Sequence, residues 1–389
     1  MKQKVNFSGL VGRISGDGAD AWDTHYEALA ARGRGEDVVI LSVGDPDIDT
    51  PAPIVERAVE ALRGGDTHYA PLAGREALRA AIGKLHRVRT GQEVGIGNVI
   101  FMSGAQNALF AASLCLAGPG DEVISFEPMY PTYPATIGVS GARLVRVPAA
   151  AGFRIDLPAL AAAITPRTKA IFVATPNNPS GVILTDSDMA VIGELARHYS
   201  LWIVADEVYA GLAPAGRVPG IAARLPDQVV TISSLSKSHA MTGWRAGWMV
   251  GPTALINHVE SLVLCMLFGL PGFVQEAALT ALGIAPEAEA RTRAYCEARR
   301  DVMIGGLKGA KGLRCHVPDA GMFTLVDVRD TGLTGREFVH RLYAAERVSV
   351  LDGAMFGAAT RSHVRICFAA EEAKLREACT RIHRFAQSL

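Results

Sequence analysis

Lys237 is the residue of this chain best placed to do covalent chemistry. It closes the run Ser234-Leu235-Ser236-Lys237, which continues the apolar stretch Val229–Ser233, and Arg245 follows eight residues on. A lone lysine is ordinarily solvated. One at the end of a buried strand is partly desolvated, which depresses its pKa and makes it a nucleophile toward aldehydes. The flanking hydroxyls and Arg245 suit a phosphate. Two other apolar runs end in residues with complementary uses. Leu201–Ala205 leads into Asp206-Glu207-Val208-Tyr209. A carboxylate there is costly without a partner, although such a residue can equally cap a helix or satisfy a turn. Val99–Met102 leads into Ser103-Gly104-Ala105-Gln106-Asn107. A small-residue turn opening a helix exposes free N–H groups that favour a phosphate, although most such turns only connect strand to helix. Each signal is weak alone. Together they describe a site for a phosphorylated aldehyde.

These residues need a scaffold that brings strand ends together. Short apolar runs alternate with longer helical patterns from about residue 97 to 250. The runs include Val99–Met102, Glu122–Phe126, Ala170–Val173, Leu201–Ala205, Val229–Ser233 and Gly247–Val250. Ala105–Leu116 and Asp186–His198 are amphipathic stretches between them. Continuous apolar strands separated by helices imply an α/β fold with a mostly parallel sheet covered on both faces. Ligands in such sheets sit beyond the carboxyl ends of the strands. The C-terminal part reads as a smaller α/β unit. It has strands at Met322–Val328, Ser349–Leu351 and His363–Phe368, a helix over Gly335–Ala345 and a last helix from Glu371. Ala285–Lys308, rich in Ala, Arg and Glu, reads as a long helix joining the two parts.

Composition bounds the alternatives. The 389 residues suit two or three domains. Lys+Arg and Asp+Glu both number 39, so bulk charge does not point to nucleic acid or a membrane surface. The six scattered cysteines form no C-x-x-C pair and read as free thiols of a reducing compartment. No apolar run suggests a signal peptide or a membrane span, so the chain is expected to be cytoplasmic. No metal site is expected.

The motifs, taken in order, carry a further signal. Residues 234–248, Ser-Leu-Ser-Lys-Ser-His-Ala-Met-Thr-Gly-Trp-Arg-Ala-Gly-Trp, resemble the cofactor-lysine signature of class I/II aminotransferases. Ala174-Thr-Pro-Asn-Asn-Pro-Ser-Gly181 resembles that family's Asn-Pro-[Ser/Thr]-Gly turn, and Ala205-Asp-Glu-Val-Tyr209 its strand-end Asp and Tyr. Ser42-Val-Gly-Asp-Pro-Asp-Ile-Asp-Thr-Pro51 resembles its N-terminal segment and His363-Val-Arg-Ile-Cys-Phe-Ala369 its C-terminal arginine segment. These matches span nearly the whole chain.

The resemblance implies a fold type I enzyme dependent on pyridoxal 5'-phosphate. It implies a cofactor-binding domain over 46–285 and a small domain made of 1–45 with 286–389. Lys237 would carry the cofactor as a Schiff base and then shuttle a proton. Asp206 would pair with the pyridine nitrogen. Tyr209 and Asn178 would hydrogen-bond the phenolic oxygen, and Tyr130 would stack on the ring. Gly104, Ala105, Gln106, Ser234, Ser236 and Arg245 would hold the phosphate. Tyr69 would reach the phosphate of a neighbouring subunit, which implies a homodimer with shared active sites. Arg365 would take the substrate α-carboxylate, a two-pronged job that lysine does poorly. Gly44 would lie close to the same carboxylate. The implied activity is ping-pong transfer of an amino group from an L-amino acid to a 2-oxo acid.

Less general segments resemble a branch of that family that moves the amino group of L-arginine to pyruvate. They are Gly16-Asp-Gly-Ala-Asp-Ala-Trp-Asp-Thr-His-Tyr26, the Pro-Ala-Pro-Ile-Val after Thr50, Ser236-Lys-Ser-His-Ala-Met-Thr-Gly, and Glu260-Ser-Leu-Val-Leu-Cys-Met-Leu-Phe-Gly269. A guanidinium needs an acidic partner, and Asp17, with Asp20 and Asp23, is the candidate, although these residues can equally be solvated or cap a helix over Ala19–Ala31. Rival readings are weaker. Ser234-x-x-Lys237 also fits a penicillin-binding hydrolase, but the accompanying Ser-Asp-Asn and Lys-Thr-Gly elements are missing. A non-catalytic amino-acid sensor would not need every catalytic position. A carbon–sulfur lyase, another donor such as aspartate, alanine or an aromatic amino acid, or another reaction on the same fold remains compatible with these residues.

Overall fold

A computed structural model describes residues 6–14, 22–214 and 218–389. Among these, thirteen strands form three sheets. Strand β1 (Val39–Ile40) precedes the seven strands of a large sheet. These are β2 (Val99–Ser103), β3 (Glu122–Phe126), β4 (Arg143–Val147), β5 (Thr168–Ala174), β6 (Trp202–Asp206), β7 (Val229–Ser234) and β8 (Ala246–Val250). The C-terminal strands are β9 (Arg314–Cys315), β10 (Phe323–Asp327), β11 (Val348–Ser349), β12 (Leu351–Asp352) and β13 (His363–Cys367).

The large sheet runs β2-β8-β7-β6-β5-β3-β4. Its neighbours are parallel except at β8, which is antiparallel to both β2 and β7. Both faces are covered, as the continuous apolar runs require. On one face Ile100, Met102, Val204, Ile232 and Met249 pack with the helices Gly104–Leu116 and Thr253–Met266. On the other, Ile171, Ile203 and Val229 meet the helix Asp186–Tyr199, while Val99, Phe101 and Trp248 meet Glu76–Thr90 and Gly272–Gly283. Neighbours in sequence fall on opposite faces because strand side chains alternate. Strands β4 and β9 were not among the apolar runs. Both are edge strands, and their arginines suit an edge that must not pair further.

The small sheet runs β12-β13-β10-β9. The single strand expected over Ser349–Leu351 is instead two short ones. Val348–Ser349 pairs with β1, whereas Leu351–Asp352 pairs with β13, so the chain changes sheets at Val350. The pairing of β1 with β11 ties the N-terminal segment to the C-terminal strands. The joining helix covers Ala285–Gly306, and the N-terminal helix is described over Asp23–Gly33. No helix among the described residues is long and apolar enough to cross a membrane.

One glycine decides how tightly β8 seals the sheet against β2. A Cβ on Gly247 would lie 2.6 Å from the carbonyl carbon of Gly104 and 2.7 Å from the nitrogen of Ala105. These are backbone atoms that cannot turn away. Gly247→Ala should therefore cost about 1–3 kcal/mol of stability, read as a lower urea midpoint with an unchanged slope. An unchanged midpoint would show that the turn at Gly104 yields freely.

Candidate active site

The residues beyond the strand ends meet in one cavity. The carboxyl ends of β2, β3, β5, β6 and β7 carry Ser103, Phe126, Ala174, Asp206 and Ser234. Antiparallel β8 starts at this same edge, so Arg245 stands immediately before it. The cavity has a volume of about 1160 Å³. Its lining includes Gly44, Ala105, Gln106, Tyr130, Asn178, Asp206, Tyr209, Ser234, Ser236, Lys237, Arg245 and Arg365.

At one end a turn of small residues meets a cation. Gly104 has φ of +75°, and a Cβ there would overlap the Arg245 guanidinium. The helix Gly104–Leu116 begins at Ser103 without a side-chain cap, so its first N–H groups stay available. The Gln106 side chain is already committed, donating to Thr136 at 3.0 Å and accepting from Thr132 at 2.9 Å. What Gln106 offers the cavity is therefore its backbone N–H. The Ser236 backbone N–H donates to Ser234 Oγ at 3.3 Å, which bends the segment so that both serines line the cavity. Arg245 donates to the Thr242 carbonyl at 2.7 Å, and among the described residues no carboxylate pairs with it.

In the middle stand an amine and an acid, each out of its usual range. Lys237 Nζ donates to the Gly44 carbonyl at 2.6 Å. Burial pulls its pKa down to about 8, against the opposing pull of Asp45. Burial pushes Asp206 up to about 6. The Tyr133 hydroxyl, 2.8 Å from Asp206 Oδ2, and the Val208 N–H at 3.2 Å act the other way. Asp206 has no cationic partner among the described residues and is fitted to receive one. Tyr130 lies edge-on to Tyr133 at 5.8 Å, and Tyr209 edge-on to Phe323 at 5.9 Å.

The far end holds a buried guanidinium. Arg365 is only 3% exposed. Its Nη1 donates to Asn178 Oδ1 at 3.1 Å and its Nη2 to the Ser42 carbonyl at 2.6 Å. Phe323 and Phe356 pack on it at 4.1 and 5.0 Å. Among the described residues Nε is buried without a hydrogen-bond partner. Both partners it does have among the described residues are neutral, so none of these residues compensates the charge, and a carboxylate suits the site. Gly44 lines the cavity, and what a side chain there would strike is the Phe323 ring.

Other sequence expectations fall elsewhere. Tyr69 is 84% exposed, lies against Phe268 at 4.7 Å and does not line this cavity. Asp17 and Asp20 lie outside the described residues. Asp23 opens its helix on the exposed side and is not in the lining. Sequence reasoning passed over Tyr133, although it stands three residues after Tyr130 in the same Tyr-Pro-Thr-Tyr run. It also passed over Glu127, which directly follows β3 and lines the cavity.

The depressed Lys237 pKa has a direct reading. Below about pH 8 the amine is protonated and inert, and above it the amine is free. In cofactor-free protein an amine-acylating reagent should label Lys237 at a rate that rises through about pH 8. Mass spectrometry of the peptide would measure this. A midpoint near 10.4, the value of a solvated lysine, would refute the desolvation argument.

This geometry has counterparts among known proteins. The family model for aminotransferase class I and II matches residues 36–382. The arginine–pyruvate transaminase AruH of Pseudomonas aeruginosa is 49% identical over 388 residues, covering 97% of each chain. A probable aspartate/prephenate aminotransferase of Thermus aquaticus is 36% identical, covering 93% of this chain and 94% of that one. Among solved structures, the aspartate aminotransferase from Thermus thermophilus with maleate superposes with a TM-score of 0.93 at 32% identity, covering 98% of this chain and 100% of that one. An amine, an unpaired acid and a buried arginine in one cavity thus stand in a known frame: the chain belongs to the class I and II aminotransferases, with the fold type I architecture and dependence on pyridoxal 5'-phosphate.

Proposed function

We propose that this aminotransferase takes the amino group of L-arginine and passes it to pyruvate. The observation that carries an α-carboxylate substrate is Arg365, a buried cation with neutral partners and an unpartnered Nε. The choice of arginine is supported by the 49% identity to a relative named for that pair, over 97% of both chains.

The residues fit the cofactor. Ala105 and Gln106 backbone N–H groups, Ser234, Ser236 and Arg245 would hold its phosphate, with Gly104 leaving room for Arg245 to close in. Tyr130 would stack on the ring, and Tyr209 and Asn178 would meet its phenolic oxygen. Asp206 would supply the charge opposite the ring nitrogen. Bound pyridoxal phosphate supplies an aldehyde for Lys237 and a ring that withdraws electrons. Lys237, with a pKa of about 8, can hold and release a proton near neutral pH, and its task is to move the proton at the substrate Cα. Arg365 orients the substrate through its carboxylate.

We further assign residues 46–285 to one domain and 1–45 with 286–389 to another. Exposed Tyr69 would complete the phosphate site of a second copy in a homodimer. The exposure of Phe268 and Leu267 beside it supports a covered surface there.

Two measurements test this reading. Single-turnover absorbance of the purified holoenzyme should show rapid loss of the cofactor-aldehyde band with L-arginine. Rapid loss with aspartate or an aromatic amino acid, and none with arginine, would reject the donor. Tyr133→Phe removes the hydroxyl that holds Asp206 ionised, so the Asp206 pKa should rise further and kcat should drop about tenfold. An unchanged kcat at pH 7 would show that Tyr133 only packs.

A further inference from the structure

Of the N-terminal acidic candidates for the guanidinium, the described one, Asp23, is outside the cavity lining. Among the described residues that line the cavity, the carboxylates are Glu127, Asp206 and Asp352. Asp206 accepts from the Tyr133 hydroxyl and is assigned above to the ring nitrogen. Asp352 spends Oδ1 on the Ala354 N–H, 2.9 Å away, capping the turn Gly353–Phe356, and Arg336 and His340 lie in its field. Glu127 is different. It is 8% exposed, and the chain goes to some length to place it. Gly357 sits against it with φ of +130°, and a Cβ there would be 2.6 Å from Glu127 Cδ. Oε2 accepts from the Ala358 N–H at 2.9 Å. Among the described residues, Oε1 faces only Arg146 Nη1, at a long 3.4 Å.

The two halves of that ion pair are unequal. Glu127 is buried, so a cation beside its carboxylate is favoured. Arg146 comes from edge strand β4, and its side chain is 42% exposed, so it can leave for water at little cost. This asymmetry answers a requirement of the reaction. One cavity must accept a donor with a cationic side chain and then an acceptor with none. The same cavity holds the unpartnered Arg365 Nε, which fixes where the other end of the substrate lies.

Resting on the donor reading above, we propose that Glu127 recognises the guanidinium of the donor side chain, and that Arg146 is an exchangeable counter-ion covering Glu127 when the acceptor occupies the site. Glu127 is then a specificity-determining residue, remote from the bonds that change. Arg13, Arg336 and Arg361, which also line the cavity, are exposed and cationic and so offer a guanidinium no attraction.

The test compares L-arginine with L-citrulline, its uncharged near-isostere, in single-turnover reactions of the holoenzyme. Wild type should prefer arginine in kcat/KM. Glu127→Gln should lower the arginine value roughly 10- to 100-fold while lowering the citrulline value far less, so the preference collapses. Arg146→Gln, a surface change, should move the other way and raise the preference for arginine, because no resident cation competes. Equal losses for both substrates in E127Q would mark a structural role and overturn the proposal, as would an undiminished arginine preference. If E127Q does not fold, an arginine preference that falls or stays constant in R146Q overturns it. Wild type that ignores arginine would overturn the donor reading itself. Wild type that uses arginine, with R146Q and E127Q preferences unmoved, would overturn only the role of Glu127.

Discussion

Three distant parts of the chain meet on the Arg365 guanidinium. The residue lies on β13, paired with Leu325 of β10 and Leu351 of β12. Its hydrogen bonds go to Asn178, beyond β5 of the large sheet, and to the carbonyl of Ser42 in the N-terminal segment. Ser42 is itself fixed, its hydroxyl 2.8 Å from His25 Nδ1 and 3.1 Å from Ser349 Oγ. A buried cation is costly, and neutral acceptors repay only part of that cost. The arrangement therefore persists because the surrounding aromatic packing and backbone hydrogen bonds hold it, and it remains poised for an anion.

The segment from Ser42 to Asp45 links this guanidinium to the amine. Ser42 receives Arg365, Gly44 receives Lys237, and Asp45 Oδ1 accepts from Thr242 at 2.7 Å. The stretch that carries Thr242 also carries Arg245. Movement of the N-terminal segment would thus reach both ends of the cavity at once. Burial supplies the electrostatics throughout, lowering the amine and raising the acid so that both approach neutrality.

Much of the fold could be read from the sequence. The strands that hold the site are apolar on both faces, and their helices follow in alternation, so their order along the chain was legible. The failures are instructive. Strand β4 mixes arginines with apolar residues because only an edge can tolerate them. The change of sheet at Val350 left no mark in composition, because both halves are buried and each pairs one apolar with one polar residue. Asp17 drew attention through its charge, whereas Glu127 was overlooked because a single Glu before Pro128 resembles any loop residue.

The sequence by itself determined which groups gather at the cavity. Parallel strands all end on one edge, so the residues after each apolar run had to converge there, and Lys237, Asp206, Asn178 and the turn at Gly104 do. Only the tertiary structure decided what each of them touches. Lys237 and Arg365 are held by backbone carbonyls of Gly44 and Ser42, Asp206 by Tyr133, and Glu127 by the Ala358 N–H and Arg146. Backbone groups occur at every residue and carry no signature of type, and these partners lie tens to hundreds of positions apart in most cases. Their roles come into being only when burial removes water as the competing partner.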